Sequence, residues 1–227
     1  MIVSINQPAY LPWLGYFQRI AGSDLHIVLD HVQFEKNSFT NRNRVHTNQG
    51  PCWLTVPVSR DGAETPICDL RIDNRVNWRR KHQQSLKQHY AKAPFKQDLM
   101  DICDAAYERS WDYLHDLCRF MTGRFLRYLK IDTEIRYSRE LGSTERKSAL
   151  VLDLCQKVGA DVYLSGALGR DYLDMDSFRD AGIAIEFQDY RHPEYNQSHG
   201  TPFKPYLSIA DLIANCGPDS PSILLAE

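Results

Sequence analysis

The chain has 227 residues, 43% hydrophobic and 25% charged, with a formal net charge of −2. That is enough to build a core without staples, and it gives no global field to draw nucleic acid or an anionic membrane. No apolar run approaches the ~20 residues of a membrane span, and the N-terminal apolar run lacks a basic flank and breaks at Asn6, unlike a signal peptide.

Residues 2–5 (IVSI) predict a buried strand. The stiff sequence QPAYLPWLGYF follows, then one or two helical turns from Tyr16 to Gly22, then a second strand in HIVLD at 26–30. Strand, turn, short helix and strand make a parallel βαβ start, with the turn at the carboxyl end of the first strand. From Phe39 to Ile72 the texture changes: SFTNRNRVH, CWLTVPVS and CDLRI read as β-type pieces in hairpins, with DGAETP turning between the last two. After Asn77, WRRKHQQSLKQHYAKAPF predicts a helix ending before Pro94. SWDYLHDLCRFMTGRFLRYLKI then sets Trp111, Leu114, Leu117, Cys118, Met121, Phe125 and Tyr128 near one helical face. TEIRYS reads as a strand, ERKSALVLDLCQKVGA as a helix, VYLSG as a strand, DSFRDAG as a short helix, IAIEFQDY as a strand and SIADLIANCG as a last helix. Gly159, Gly182 and Gly217 follow helical stretches as stop signals. The expected fold class is α/β: a mostly parallel, Rossmann-like sheet flanked by helices, one domain over 1–227 with a β-rich and helical insertion at about 37–110.

Ligands of open parallel sheets sit beyond the carboxyl ends of strands, and four segments fall there. In QPAYLPWLGYF, Pro8 and Pro12 fix φ, Gly15 permits a close approach, and Tyr10, Trp13 and Tyr16 offer flat faces for a ring or sugar; a stiff turn over the core is the plain alternative. In DHVQFEKNSFTNRNRV, Asp30 ends the second strand, with His31 and Gln33 close behind. Alternation places Asn41 and Asn43 on one face and Arg42 and Arg44 on the other, so one face is rich in amides and the other suits a phosphate or carboxylate. An ordinary solvated hairpin has the same composition. In VYLSGALGRDYLD, the amides at Ser165 and Gly166 with Arg170 in reach suit an anion, unless the glycines merely turn the chain. In the last segment Ser208 is first a helix N-cap, with Asp211 at capping-box spacing, and a helix start also favours anions.

Other chemistries lack their signatures. The eight histidines form no metal-ligand pattern, and His82 and His89 sit two turns apart on a helix read as exposed. Six scattered cysteines without a C-x-x-C pair read as reduced thiols of a cytoplasmic protein, none with an evident histidine partner. No G-x-S-x-G marks a serine nucleophile. The basic cluster Arg75, Arg79, Arg80 and Lys81 reads as a solvated helix face.

Q-P-x-Y-x-P-W-x-G-Y-F, L-D-x-V-Q-F, N-R-N, W-L-T-V-P-V, Y-L-S-G and S-I-x-D-L-x-x-N-x-G occur here in order from Ile5 to Gly217 and resemble the WbqC-like family. The resemblance implies a place in O-antigen or other surface-glycan synthesis, with transfer of glycine or another amino acid onto an amino sugar. The start also resembles the layout of HIGH-motif nucleotidyltransferases and aminoacyl-tRNA synthetases. Trp13 and Tyr16 stand where their two histidines would be, so that likeness implies a nucleotide-shaped cleft rather than adenylyl transfer. The resulting expectation is an acyl- or aminoacyltransferase acting on a nucleotide-linked amino sugar, with ATP as the one cofactor left open and no metal. Asp30 would be the base, Asn41 and Asn43 would fix polar groups, and Tyr10 and Trp13 would form the wall. Gln7, Gly15, Gln33, Arg42, Ser165, Gly166, Arg170 and Ser208 would complete the substrate site. A non-catalytic nucleotide or sugar-nucleotide binder is the rival, and a nucleotidyltransferase with unfamiliar residues the third reading. The partner expected is a small molecule, with no nucleic acid and no membrane insertion.

Overall fold

The start of the chain folds as its pattern predicts. Strand β1 (Ile2–Asn6), helix α1 (Leu14–Ala21) and strand β2 (Leu25–Val28) form a right-sized βαβ unit whose strands pair in parallel, Val3 opposite Leu25 and Asn6 opposite Val28. The computed structural model describes residues 1–59, 65–200 and 202–226. Strand β5 (Glu134–Tyr137) pairs with the far side of β2. Strand β6 (Val162–Ser165) pairs with the free side of β1, and β7 (Ala184–Phe187) with β6. The five strands run parallel in the order β5-β2-β1-β6-β7. The chain leaves central β1 in one direction and later returns to its other side, so the carboxyl ends of β1 and β6 flank the topological switch point.

Alternation along β1 divides the interior. Val3 and Ile5 join Leu25 and Ile27 on one face, packed by Leu150, Val151 and Leu154 of α6 (Lys147–Val158) and Phe178 of α7 (Met175–Asp180). Ser4 points to the other face, where its hydroxyl lies 2.8 Å from both Ser23 Oγ and His26 Nδ1, and His26 meets the Tyr16 ring of α1 edge-on. Phe17 and Ile20 of α1 carry that face into a larger core.

Most of that core is supplied between β2 and β5. The antiparallel hairpin β3 (Arg42–Thr47) and β4 (Gly50–Thr55) comes first. Helices α2 (Trp78–His89), α3 (Lys96–Tyr107) and α4 (Leu114–Leu129) follow, the last burying Leu117, Met121 and Phe125 as its spacing predicts. The short helix α5 (Ser138–Leu141) starts directly at the end of β5. The chain closes with α8 (Ile209–Cys216), capped by Ser208 Oγ accepting from Ala210 N, and α9 (Ser220–Leu224).

Three local expectations change. CDLRI is no strand but a 3-10 turn at Ile67–Asp69, followed by single bridges from Arg71 to Tyr113 and from Ile72 to Val58. The pattern reading passes over α3. His82 lies on the buried side of α2, not on an exposed face. Most of the DGAETP turn, residues 61–64, lies outside the described residues.

Candidate functional site

The proline-stiffened turn and the hairpin do meet, but around packed side chains. Tyr10 N donates to Phe39 O (3.2 Å) and Thr40 O (3.1 Å), and Asn43 Nδ2 donates to Leu11 O (2.6 Å). Leu11 has φ of 48°, in the left-handed region that costs a branched side chain free energy, and Asn43 holds it there. Ile209 N reaches Pro12 O (2.8 Å) and Ser208 N reaches Arg44 O (2.9 Å), so α8 closes the clamp. Tyr10, Asn43 and Ser208 are fully buried. The Tyr10 hydroxyl lies 2.8 Å from His82 Nδ1 and 2.7 Å from the Tyr107 hydroxyl. These three residues tie elements together and offer no face to a ligand, which corrects their expected roles as wall, polar guide and anion site. Gly15 is buried as well: a Cβ there would lie 2.3 Å from the Trp13 ring, which folds over it. Of the corner's aromatic rings, Trp13 alone stays half-exposed, edge-on to Tyr190 with ring centroids 4.8 Å apart.

The opposite faces of β3 behave as alternation predicts. Arg42 and Arg44 lie over the exposed Trp53 ring of β4, with guanidinium carbons 4.3 Å and 5.6 Å from its centroid. Asn41 Nδ2 donates to Val56 O (2.9 Å), which pins the edge of a cleft of about 840 Å³. Gln33, Asn41 and Arg42 line this cleft with Phe34, Val56, Pro57 and Val58. Its size matches a small-molecule site, and its apolar patch of Phe34, Val56, Pro57, Val58 and Leu70 is rimmed by polar and charged side chains that include Glu35, Lys36 and Asp73. Three of the expected residues therefore share one hollow, on the insertion side of the molecule.

Asp30 lies three residues before Gln33, the first residue of the cleft-forming loop, just beyond β2, and is fully buried. Its Oδ1 accepts from Ser138 Oγ (3.0 Å) and Arg139 N (3.0 Å), and its Oδ2 lies 3.4 Å from Arg139 Nε and 3.5 Å from His115 Nδ1. Burial pushes the His115 pKa down, while the Asp30 charge opposes that shift. Asp30 N also donates to Ser138 Oγ (3.0 Å), and His31 Nδ1 lies 2.6 Å from the same oxygen. A serine hydroxyl has one hydrogen to give and two lone pairs. Its hydrogen goes to Asp30 Oδ1 and one lone pair takes the Asp30 amide, so the contact with His31 is an Nδ1–H donating to Ser138. That tautomer leaves a lone pair on His31 Nε2, and His31 is half-exposed. The buried Asp30 cannot itself touch a substrate; it orders Ser138, and Ser138 orders His31. The hydroxyl of Ser138, committed on all sides and buried, is not a nucleophile. Burial also pushes the thiols of Cys103, Cys118, Cys155 and Cys216 up, away from thiolate chemistry.

On the other side of β1, Ser165 ends β6, is buried and donates to Gly166 O (3.2 Å). Arg170 is exposed and lies over the Phe187 ring at 4.0 Å. Neither Ser165 nor Arg170 lines the large cleft. Gln7, just past β1, is half-buried and accepts weakly from Thr40 Oγ1 (3.4 Å).

With this geometry in place, comparison with known proteins is informative. The WbqC-like protein family matches residues 7–223. The chain belongs to the WbqC-like protein family. It is also 34% identical over 225 residues to a protein of Mycobacterium tuberculosis called "Uncharacterized protein Rv1507c", covering 98% of this chain and 96% of that one. No solved structure matches. As a WbqC-like chain it has no helix long and apolar enough to cross a membrane among the described residues.

Sequence reasoning passes over Ser138 and His115 as site residues and gives His31 no role. Ser138 closes the segment TEIRYS, and the strand-end rule that points to Asp30 applies to it equally. His115 stands between core positions on an amphipathic helix, where a titratable residue signals a buried polar contact.

Proposed function

We propose that this WbqC-like protein is a cytoplasmic acyl- or aminoacyltransferase that modifies an amine on a nucleotide-linked sugar during surface-polysaccharide synthesis. The family supports the coarse role, in surface-polysaccharide synthesis. The finer reading is carried by one observation: Ser138 and Asp30 leave the His31 Nε2 lone pair directed away from them on a half-exposed ring, two residues along the chain from Gln33, which lines a cleft large enough for a sugar. An amine attacking an activated acyl group must shed a proton, and a histidine fixed in this tautomer takes it. His31 is then the base, Asp30 and Ser138 are positioning residues, and Asn41, Gln33 and Arg42 hold the sugar from the cleft wall.

The test is incubation of purified protein with amino-sugar nucleotides and activated glycine donors, read by mass spectrometry. His31→Gln should lower turnover by roughly 10²–10⁴-fold, the usual worth of a general base, with sugar-nucleotide binding retained. A wild-type protein that binds no sugar nucleotide at millimolar levels would remove the substrate from this reading. The full burial of Ser138, the hydroxyl held against Asp30, favours a second reading, a sugar-nucleotide binder without turnover. Binding with no product from any acyl donor would select it.

A further inference from the structure

Arg19, in the last turn of α1, lies across the carboxyl ends of β1, β6 and β7. Its Nε donates to Gln188 Oε1 (2.9 Å) and its Nη1 to Asn6 Oδ1 (2.6 Å). Gln188, just past β7, is itself held by donating to Gly15 O (3.1 Å) and Gln18 Oε1 (2.8 Å). The guanidinium plane is therefore fixed by neutral amides on two sides. Among the described residues no carboxylate pairs with Arg19; the groups that act on its charge are Tyr163, Tyr172 and Tyr16, and burial pushes its pKa below the ordinary arginine value. A largely buried arginine that serves packing alone is normally matched by a carboxylate, because an uncompensated charge out of water costs several kcal/mol.

The unengaged Nη2 end lies against Gly166, where a Cβ would stand 2.5 Å from it. Gly166 is thus bare where a planar, bidentate donor has to come close. The place is the switch point between β1 and β6, the crevice where open α/β sheets take their ligands. The turn after Gly166 carries Leu168 and Tyr172, 77% and 51% exposed, which are large apolar surfaces with no internal packing role.

We infer that the Nη2 edge of Arg19, set by Asn6 and Gln188 and bordered by Gly166, receives a phosphate group of a nucleotide, with Tyr172 offering its ring to the base. This rests on the transferase reading only in identifying the nucleotide with the sugar-linked substrate. The sugar would then run from the switch point past Gln7 toward His31, along the carboxyl edge of the sheet.

The experiment is calorimetric titration of the full chain with nucleoside diphosphates (adenosine, uridine, guanosine and cytidine), with inorganic pyrophosphate, and with glycine as a carboxylate probe. A nucleoside diphosphate should bind saturably, and Arg19→Met should weaken it by about tenfold or more, a loss of ~1.4 kcal/mol or more. Gly166→Ala, whose new methyl group displaces the guanidinium, should weaken it similarly, and Arg179→Met, on the exposed face of α7, should leave it unchanged. Thermal melts establish that each variant is folded, and if Arg19→Met does not fold, Gly166→Ala decides. Equal affinity in wild type and in the deciding variant overturns the inference. So does wild-type protein that takes glycine but no phosphate, or that binds no diphosphate at about 1 mM, where binding is worth only ~4 kcal/mol. Arg19-dependent diphosphate binding without amine acylation would keep this site and remove the transferase. Sugar-nucleotide turnover indifferent to Arg19→Met would do the reverse.

Discussion

Gly15 shows how a single residue sets the corner that follows β1. The Trp13 ring lies where a Gly15 side chain would begin, so the glycine is required by contact rather than by an unusual φ. Gly15→Ala should cost about 1–3 kcal/mol, the range for an overpacked site. In a Trp13→Ala background the same change should be nearly neutral, because the clashing ring is gone. Denaturant titration of the four proteins in this cycle reads the coupling directly; an equal cost in both backgrounds would mean the helix, not the ring, demands glycine. The residues in this region also show what a sequence discloses at this scale. The letters Q-P-A-Y-L-P-W-L-G announce a rigid corner, and the corner is there. They do not tell which rings face inward. Tyr10 is drawn into the core because His82 and Tyr107, from helices far along the chain, supply partners for its hydroxyl. Asn43 is spent on Leu11 for the same kind of reason.

At the scale of elements, hydrophobic period carries most of the information. β1, β2, β6 and β7 read as short aliphatic runs, α1, α6 and α8 as helices with glycine stops or a serine cap, and α4 as a long helix from its apolar spacing alone, because burial on one or both faces fixes their composition. α3 escapes because Ala91–Phe95 is a short break between two helices, and its buried Leu99, Ile102 and Cys103 are diluted by acidic residues facing out. CDLRI escapes because Leu70 and Ile72 are buried by contacts with α4 and its approach, not by a sheet. The pairing of β2 with β5, which brings Ser138 to Asp30 across more than a hundred residues, has no local signature at all. Candidate residues at strand ends were therefore legible, whereas the partners that decide their chemistry were not. The element that gathers the most distant parts is α8: Asp211 accepts from Tyr90 (2.9 Å), Tyr195 (2.9 Å) and Gln197 (2.8 Å), which ties α2 and the segment before α8 to one carboxylate. Burial raises the pKa of Asp211, and these three donors oppose the shift.

For the whole molecule, several neutral histidines inside the core link stability to pH. Burial pushes His26 down to about 3 and His82 to about 4, with Arg19 adding to the shift at His26. Unfolded, both return to about 6.5. The unfolded chain then binds more protons over the interval between, so the stability these groups contribute is complete above about pH 6.5 and is lost progressively as pH falls toward their folded values, by up to ~1.4 kcal/mol per pH unit for each group. Thermal melts should show a transition temperature that drops between about pH 7 and pH 5, more shallowly in His82→Phe, which has no proton to gain. A transition temperature that is flat over this range would mean that these rings are hydrated or already charged in the fold.

The account as a whole stands on His31, since the two flanks of the carboxyl edge, cleft and switch point, make one site only if a base lies between them. Long-range proton–nitrogen NMR of the imidazole at about pH 8, where a histidine is neutral, reports which ring nitrogen holds the hydrogen. The geometry requires Nδ1–H with a free Nε2 in the wild type, and loss of that preference in Ser138→Ala. An Nε2–H tautomer in the wild type would mean that Ser138 donates to His31 instead, leaving no lone pair for an incoming amine and no base at this edge of the sheet.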